Sequence, residues 1–298
     1  MASETQTLEI KVPKNVAWIK RQGVQSIIGR SIVFTIAAVG AIMYFVPFLW
    51  AVSTSLKPQE QLFKFPPEWI PKPLQFRNYV EALTRLPFGR FFINTVILTL
   101  APMAGDILIN ILVAYGFARL EFPGRDVLFM VLLGTMMLPA QVTMIPVFII
   151  FRSLGWINTY YPLILPSYFG SAFYIFLLRQ FFRTIPVDLE HAAEIDGASR
   201  LQILFRVIAP LSGPAIATVA VFSFMAHWQE FFGPLIYLNS TKLIPLSLGL
   251  QRFREDYGGT VWHHLMAASV VSTLPPLLLF FLAQRYFISG SVMTGMKE

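Results

Sequence analysis

Six long apolar runs, at about residues 31–52, 91–118, 127–151, 157–178, 211–238 and 265–284, set what this chain can fold into. Each is near the ~20 residues that an α-helix needs to cross ~30 Å of hydrocarbon. Four of the six carry no charged residue; the second contains Asp106 and the fifth contains His227 and Glu230. The expectation is an all-α integral membrane protein with six transmembrane helices. Composition agrees: only 13% of residues are charged, against about 25% in a soluble domain. The first run follows a polar head and exceeds the ~7–15-residue core of a signal peptide, so it reads as a retained span although Ala51-Val52-Ser53 resembles a cleavage site.

Six spans place both termini on one side, and the basic residues indicate which. With the N-terminus cytoplasmic, that side holds thirteen of the twenty-three lysines and arginines, among them Arg119, Arg125, Arg179, Arg183, Arg200 and Arg206. The expected organisation is a cytoplasmic N-terminal segment over 1–30, a six-helix domain over 31–288, and a cytoplasmic tail over 289–298. Five prolines between Pro58 and Pro73 predict an extended, turn-rich first outer loop, followed by a short helix near Arg77 to Leu86. The net charge of +7 is scattered at the ends of apolar runs, which is not the clustered face of a nucleic-acid binder. No cysteine is present, so disulfides, thiol catalysis and cysteine-ligated metals are excluded.

The segment 186–214 interrupts this pattern with closely packed acids and bases. Asp188 to Ile195 favours helix, with Pro186 just before it and Asp188 as its expected cap. Gly197 permits a left-handed turn. A second helix from Ser199 to about Ile208 places Leu201, Leu204, Phe205 and Ile208 on one side, and Pro210 and Pro214 are expected to stop it and start the fifth span. Two short helices anchored at both ends to spans make a projecting element suited to docking in a partner's cleft.

At these residues the chain resembles the permease subunits of ATP-binding-cassette importers. That family's loop reads Glu-Ala-Ala, three residues, Gly, nine residues, then Ile-x-Leu-Pro. Here His191-Ala192-Ala193 is followed by Glu194-Ile195-Asp196, Gly197, Ala198, and Val207-Ile208-Ala209-Pro210. The family's first Glu is His191, and either Glu190 or Glu194 could take its part. Further marks are AYGFARLEFPGRD from Ala114, LPAQVTMIP from Leu138, WQEFFGPL from Trp228 and QRYFISG from Gln284. They resemble the carbohydrate-uptake branch, like the smaller permease of maltose and glycerol-phosphate systems, with Gln229 where that branch usually has Asn. The resemblance implies the type I importer permease fold, with 186–214 as a cytoplasmic coupling loop. It also implies two ATPase subunits, a second homologous permease and an extracytoplasmic substrate-binding protein as partners. ATP and magnesium would be bound by the ATPases: the chain has no Gly-rich phosphate loop followed by Lys-Ser or Lys-Thr.

Within the spans, Trp228, Gln229 and Glu230 are candidate pathway residues, the Trp for stacking on an apolar sugar face and the polar groups for hydroxyls. Asn94, Gln141 and Asn158 are further candidates for substrate contact. The competing readings are an aromatic belt at the membrane surface and helix-to-helix hydrogen bonds, which are favoured for His227 and for Asp106. His263 and His264 are expected at the headgroup level. Asp188, His191 and Glu194 have helical spacing compatible with a metal pair but lack further ligands nearby, and helix-surface pairing accounts for them. The alternative function is an ion-coupled secondary transporter or channel using Asp106 and Glu230. A membrane enzyme would need clustered carboxylates or histidines at one depth, and the sequence offers none.

Overall fold

The computed structural model describes residues 16–255 and 261–294, and every regular element among them is helical. Residues 1–15 of the expected N-terminal segment and the last four of the expected tail lie outside that range. The first helix, α1 (Val16–Ser55), already begins inside the segment read as a polar head, and its apolar part Gly29–Ser55 continues through Pro47.

From Ser53 onward the chain forms a second compact unit. Its elements are α2 (Arg77–Arg85), α3 (Phe88–Arg119), α4 (Arg125–Thr135), α5 (Ala140–Ser153), α6 (Tyr161–Ile164) with a 3-10 turn to Phe169, and α7 (Ala172–Phe182). There follow α8 (Asp188–Ile195), α9 (Arg200–Ile203), a π-helical turn (Leu204–Ile208), α10 (Ala209–Leu211), α11 (Gly213–Trp228), α12 (Phe232–Tyr237), α13 (Leu246–Glu255) and α14 (Trp262–Thr294). Helix α14 extends past residue 289, where the tail was expected to start.

Among the described residues, four helical stretches are long and apolar enough to cross a membrane: Gly29–Ser55, Phe88–Arg119, Tyr161–Phe182 and Trp262–Gln284. A fifth is added if Arg200–Leu211 and Gly213–Trp228, bent by 83°, count as one. The third apolar run is divided between α4 and α5 because Pro139 takes an extended ψ of 134° and disfavours helix in the residue before it. Pro146, Pro275 and Pro276, by contrast, lie inside continuous helices. The fifth run does not continue to residue 238: α11 ends at Trp228, and α12 restarts after a three-residue break.

Helix α3 is the strut of this unit, with 32 residues and a length of roughly 48 Å at 1.5 Å per residue. Its first half buries Phe88, Phe91 and Leu98; Phe88 and Phe91 share a core with Trp228, Ile244, Phe253, Ala267 and Ala268. Its second half buries Ile111, Ala114 and Tyr115 in another core with Leu178, Phe182, Ile203, Leu204, Ile208 and Val219. Gly105 marks a close approach, since a Cβ there would lie 2.7 Å from the Tyr168 ring. The fourth run is stitched to α3 at its own break. Gly170 turns at φ +90°, and Asn110 of α3 accepts the Ser171 N–H at 2.7 Å. Interhelical polar contacts of this kind hold helices together where lipid offers no hydrophobic drive.

At the far end from α8, the short helix α2 forms as expected and rests on α14. Glu81 lies 3.1 Å from His264 Nε2 and 2.8 Å from Arg77 Nε. Partial burial pushes the Glu81 carboxyl up, but Arg77, His264 and Arg85 outweigh it and hold it below the usual carboxylate range. His263 and His264, expected at the headgroup level, are both buried in protein at the first turn of α14.

Candidate functional site

The element 186–214 takes the helix–turn–helix form that its sequence favours, with three corrections. Asp188 is the first helical residue rather than the cap, and Val187 precedes it with no side-chain hydrogen bond. The second helix is closed at its start by a capping box: Ser199 Oγ accepts the Gln202 N–H, and Gln202 Oε1 accepts the Ser199 N–H at 2.8 Å. Pro210 does not stop this helix, which runs through α10; the chain bends at buried Ser212, and Pro214 lies in the first turn of α11.

The third correction concerns which face is buried. The π-helical turn Leu204–Ile208 widens the winding, so a strict 3.6-residue period misplaces the apolar stripe. Ile203, Leu204 and Ile208 are fully buried, whereas Leu201 and Phe205 are exposed. This stripe locks the second half of the element onto α3, α7 and α11 through their shared core.

Helix α8 divides its residues between two faces. Glu190 is buried and Ala193 packs against the core, while His191, Ala192, Glu194, Ile195 and Asp196 are exposed. Ile195 is 87% exposed, which places an aliphatic side chain at the tip of the element. Gly197 follows with φ +82°, the left-handed turn its residue type predicted, and Ala198 tucks back against the core. Glu194 pairs with Arg200 across this turn, clasping α8 to α9.

Glu190 and Glu194 therefore have different positions. Arg119 Nε at the end of α3 lies 2.5 Å from Glu190 Oε1, an ion pair by distance although its N–H is not aligned as a hydrogen bond. Tyr115 donates to the other oxygen, Oε2, at 3.2 Å. The same guanidinium donates to the carbonyls of Phe182 and Ile185 at 2.7 and 2.6 Å. Sequence reading missed Arg119 as a partner because a basic residue ending an apolar run looks like a membrane-surface anchor. The only available pointer was its place in the AYGFAR stretch. An open cavity of about 710 Å³ beside this pair is lined by Glu121, Arg125, His191, Glu194 and Arg200.

The six candidates for the pathway and for substrate contact are not brought together. Trp228 and Gln229 line a cavity of about 530 Å³ with Leu246, Ser247, Ser272 and Phe280. The Trp228 ring is nevertheless engaged by protein: it stacks on Phe224, meets Phe92 edge-on, and donates its indole N–H to the Ser272 carbonyl at 3.1 Å. Glu230 accepts the Gly233 N–H at 2.9 Å in the first turn of α12, where a carboxylate suits the helix dipole. It lines a separate, small cavity with Thr95 and His227. Gln141 is exposed at the start of α5. Asn158, at φ 61°, accepts the N–H groups of Asn239 and Ser240 and so orders the chain after α12.

Asn94 spends both amide hydrogens on the carbonyls of Lys242 and Ile244, each at 2.9 Å, which fastens the segment before α13 to α3. Asn94→Ala would strand these groups at a cost of about 1–3 kcal/mol. The expected result is a lower melting temperature in detergent, with uptake falling only in proportion to folded protein. A loss of uptake at full stability would instead make Asn94 a substrate contact.

Asp106 and His227 are joined as the helix-to-helix reading expects. Buried Asp106 of α3 accepts from Ser223 Oγ at 2.7 Å and lies 3.0 Å from His227 Nε2, both on α11. Among the described residues no group of three histidines, aspartates or glutamates is arranged to hold a metal.

Residues 106–290 match the family model described as "Binding-protein-dependent transport system inner membrane component". The chain is 32% identical over 275 residues to a probable ABC transporter permease protein, YurM, of Bacillus subtilis, covering 91% of this chain and 89% of that one. It is 31% identical to the trehalose/maltose transport system permease protein MalG of Thermococcus litoralis, covering 92% and 99%. A similar 31% relates it to the sulfoquinovosyl glycerol transport system permease protein SmoH of Agrobacterium fabrum, covering 90% and 94%. Among solved structures, a chain of a bacterial ABC transporter that imports the acidic polysaccharide alginate superposes with a TM-score of 0.78 at 25% identity, covering 88% of this chain and 98% of that one. The helical architecture and these likenesses agree: the chain belongs to the family of binding-protein-dependent transport system inner membrane components, the permease subunits of ABC importers.

Proposed function

We propose that this permease translocates a carbohydrate, meaning a sugar, oligosaccharide or related polyol or sugar phosphate, with both termini cytoplasmic. It works beside a second, homologous permease, above two ATPase subunits that bind ATP and magnesium, and receives substrate from an extracytoplasmic binding protein. The relatives named for trehalose/maltose, sulfoquinovosyl glycerol and alginate transport support the substrate class.

One observation carries the coupling role: α8 has an inward face tied into the bundle and an exposed outward face of His191, Glu194 and Ile195, on which Glu194 pairs only within the element, with Arg200. In this reading, closure of the ATPases pushes that face. The α8–α10 element then drives α3, α7 and α11 as packed bodies between two arrangements, a rigid-body switch of access. The ion-coupled alternative gains no support from its two acids, since Asp106 is engaged by Ser223 and His227 and Glu230 accepts the Gly233 N–H.

The test is uptake into proteoliposomes holding the complete complex, with a labelled oligosaccharide and its binding protein outside and ATP inside. Uptake should stop when ATP is depleted and persist in the presence of a proton uncoupler. Uptake that survives depletion and collapses with the uncoupler would remove the importer reading.

A further inference from the structure

Helix α8 is poorly held by apolar contact. Its flanks are Pro186 and the left-handed Gly197, and among its own residues Ala193 is the one that packs on the core. An alanine contact is small and non-directional, so it does not define how a push on α8 is passed on. The polar grip on Glu190 is directional. Tyr115 and Arg119 are one turn apart on α3 and take the two carboxylate oxygens separately. Arg119 also reaches the carbonyl of Phe182, the last residue of α7, and that of Ile185 in the turn after it. Glu190 is the one buried acid of the segment; Asp188, Glu194 and Asp196 are exposed.

We propose that Arg119 is the positioning residue of the coupling element: its buried pair with Glu190 and its bonds to Phe182 and Ile185 make α8 and the adjoining ends of α3 and α7 move as one body. This rests on the reading of α8 as the ATPase-facing helix, and it assigns Glu190 to the inside of the permease rather than to the partner. His191 and Glu194 are then among the exposed charged or polar groups left to face the ATPase.

A buried ion pair also contributes to folding, so the test must separate attachment from stability. Removing one partner leaves an uncompensated charge, whereas replacing both with apolar residues of similar volume is often neutral or stabilising. The complete complex in proteoliposomes is compared as wild type, Glu190→Gln, and the double variant Arg119→Met with Glu190→Met. The readouts are melting temperature, ATPase retention on pull-down, and the ratio of binding-protein-stimulated to basal hydrolysis. In both variants the ATPase should stay bound and the ratio should fall about fivefold or more, and it should stay low in the double variant even as its melting temperature recovers. If Glu190→Gln does not fold, the double variant decides alone. Recovery of the ratio together with stability would overturn the proposal, as would an unchanged ratio or release of the ATPase by a folded Glu190→Gln permease. His191→Ala with Glu194→Ala tests the parent reading separately: full attachment and coupling in that variant would mean α8 is not the docking helix, whatever the Glu190 variants show.

Discussion

Replacing Gly197 with proline should abolish coupled ATP hydrolysis while leaving the helical bundle folded. The turn between α8 and α9 needs φ +82° at this position, and proline is fixed near −65°. The substitution also removes the N–H that Gly197 donates to the Glu194 carbonyl at 3.0 Å. With the turn broken, Glu194 and Arg200 no longer face each other and Ala198 leaves the core, so the outward face of α8 loses its orientation. The two apolar cores are built chiefly from α3, α7, α11 and α14, and the part of the element that enters one of them, Ile203, Leu204 and Ile208, follows the turn and is expected to stay packed. Substrate-stimulated hydrolysis by the reconstituted complex is expected to fall by more than about tenfold, with little change in circular dichroism. Gly197→Ala separates backbone from volume. A Cβ there meets nothing within 4 Å, so only the left-handed conformation is penalised, by about 1–2 kcal/mol, and coupling should be weakened rather than lost. Unchanged coupling in Gly197→Pro would show that the turn transmits nothing.

Much of this site was legible because its signals are local. The polar segment between apolar runs, the Gly197 turn and the extent of α8 follow from spacing and residue type alone. Two parts were not legible, for different physical reasons. The buried stripe of the second helix was misplaced because a π-helical turn changes the period, and no residue in Leu204–Ile208 announces it. The partner of Glu190 lies 71 positions away at Arg119, and a pairing at that separation leaves no trace in a single sequence. The same limit explains Asn94, Asn158 and Trp228. Each looked available to a substrate by residue type, and each is occupied by backbone or ring partners that the sequence keeps far apart. The spans were over-regularised for a related reason: periodicity reports apolar content, while Pro139, Gly170 and the Gln229–Phe231 break divide it into shorter helices.

These polar contacts gather on α3 at intervals along its length. Tyr115 and Arg119 hold Glu190 at one end, Asn110 and Asp106 hold α7 and α11 at mid-length, and Asn94 and Thr95 hold the chain before α13 at the other end. In the proposed reading, a movement imposed on α8 enters a helix that is fastened by directional bonds to α8, to the start of α7, to α11 and to the chain at α13. That arrangement suits a two-state switch better than graded deformation, because packed interiors resist intermediate geometries.

Asp106 decides between the importer and an ion-coupled transporter. An ionisable group in a membrane span is costly, about 2.5–3.5 kcal/mol at the centre of the bilayer, and is by default a functional candidate. Here its oxygen accepts from Ser223 and faces His227, which joins α3 to α11. Asparagine has the same shape and retains an acceptor, so Asp106→Asn should cost about 1 kcal/mol and keep ATP-driven uptake within about threefold of wild type. Asp106→Leu leaves buried Ser223 and half-buried His227 without this partner, at about 1–3 kcal/mol, and should lower melting temperature and uptake together. A carboxylate that carried a proton or cation would respond in the opposite pattern. Asp106→Asn would then abolish uptake at full stability, because no amide can take up and release the coupling charge. Measured side by side in proteoliposomes, uptake that tracks stability across the two variants assigns Asp106 to the joint between α3 and α11.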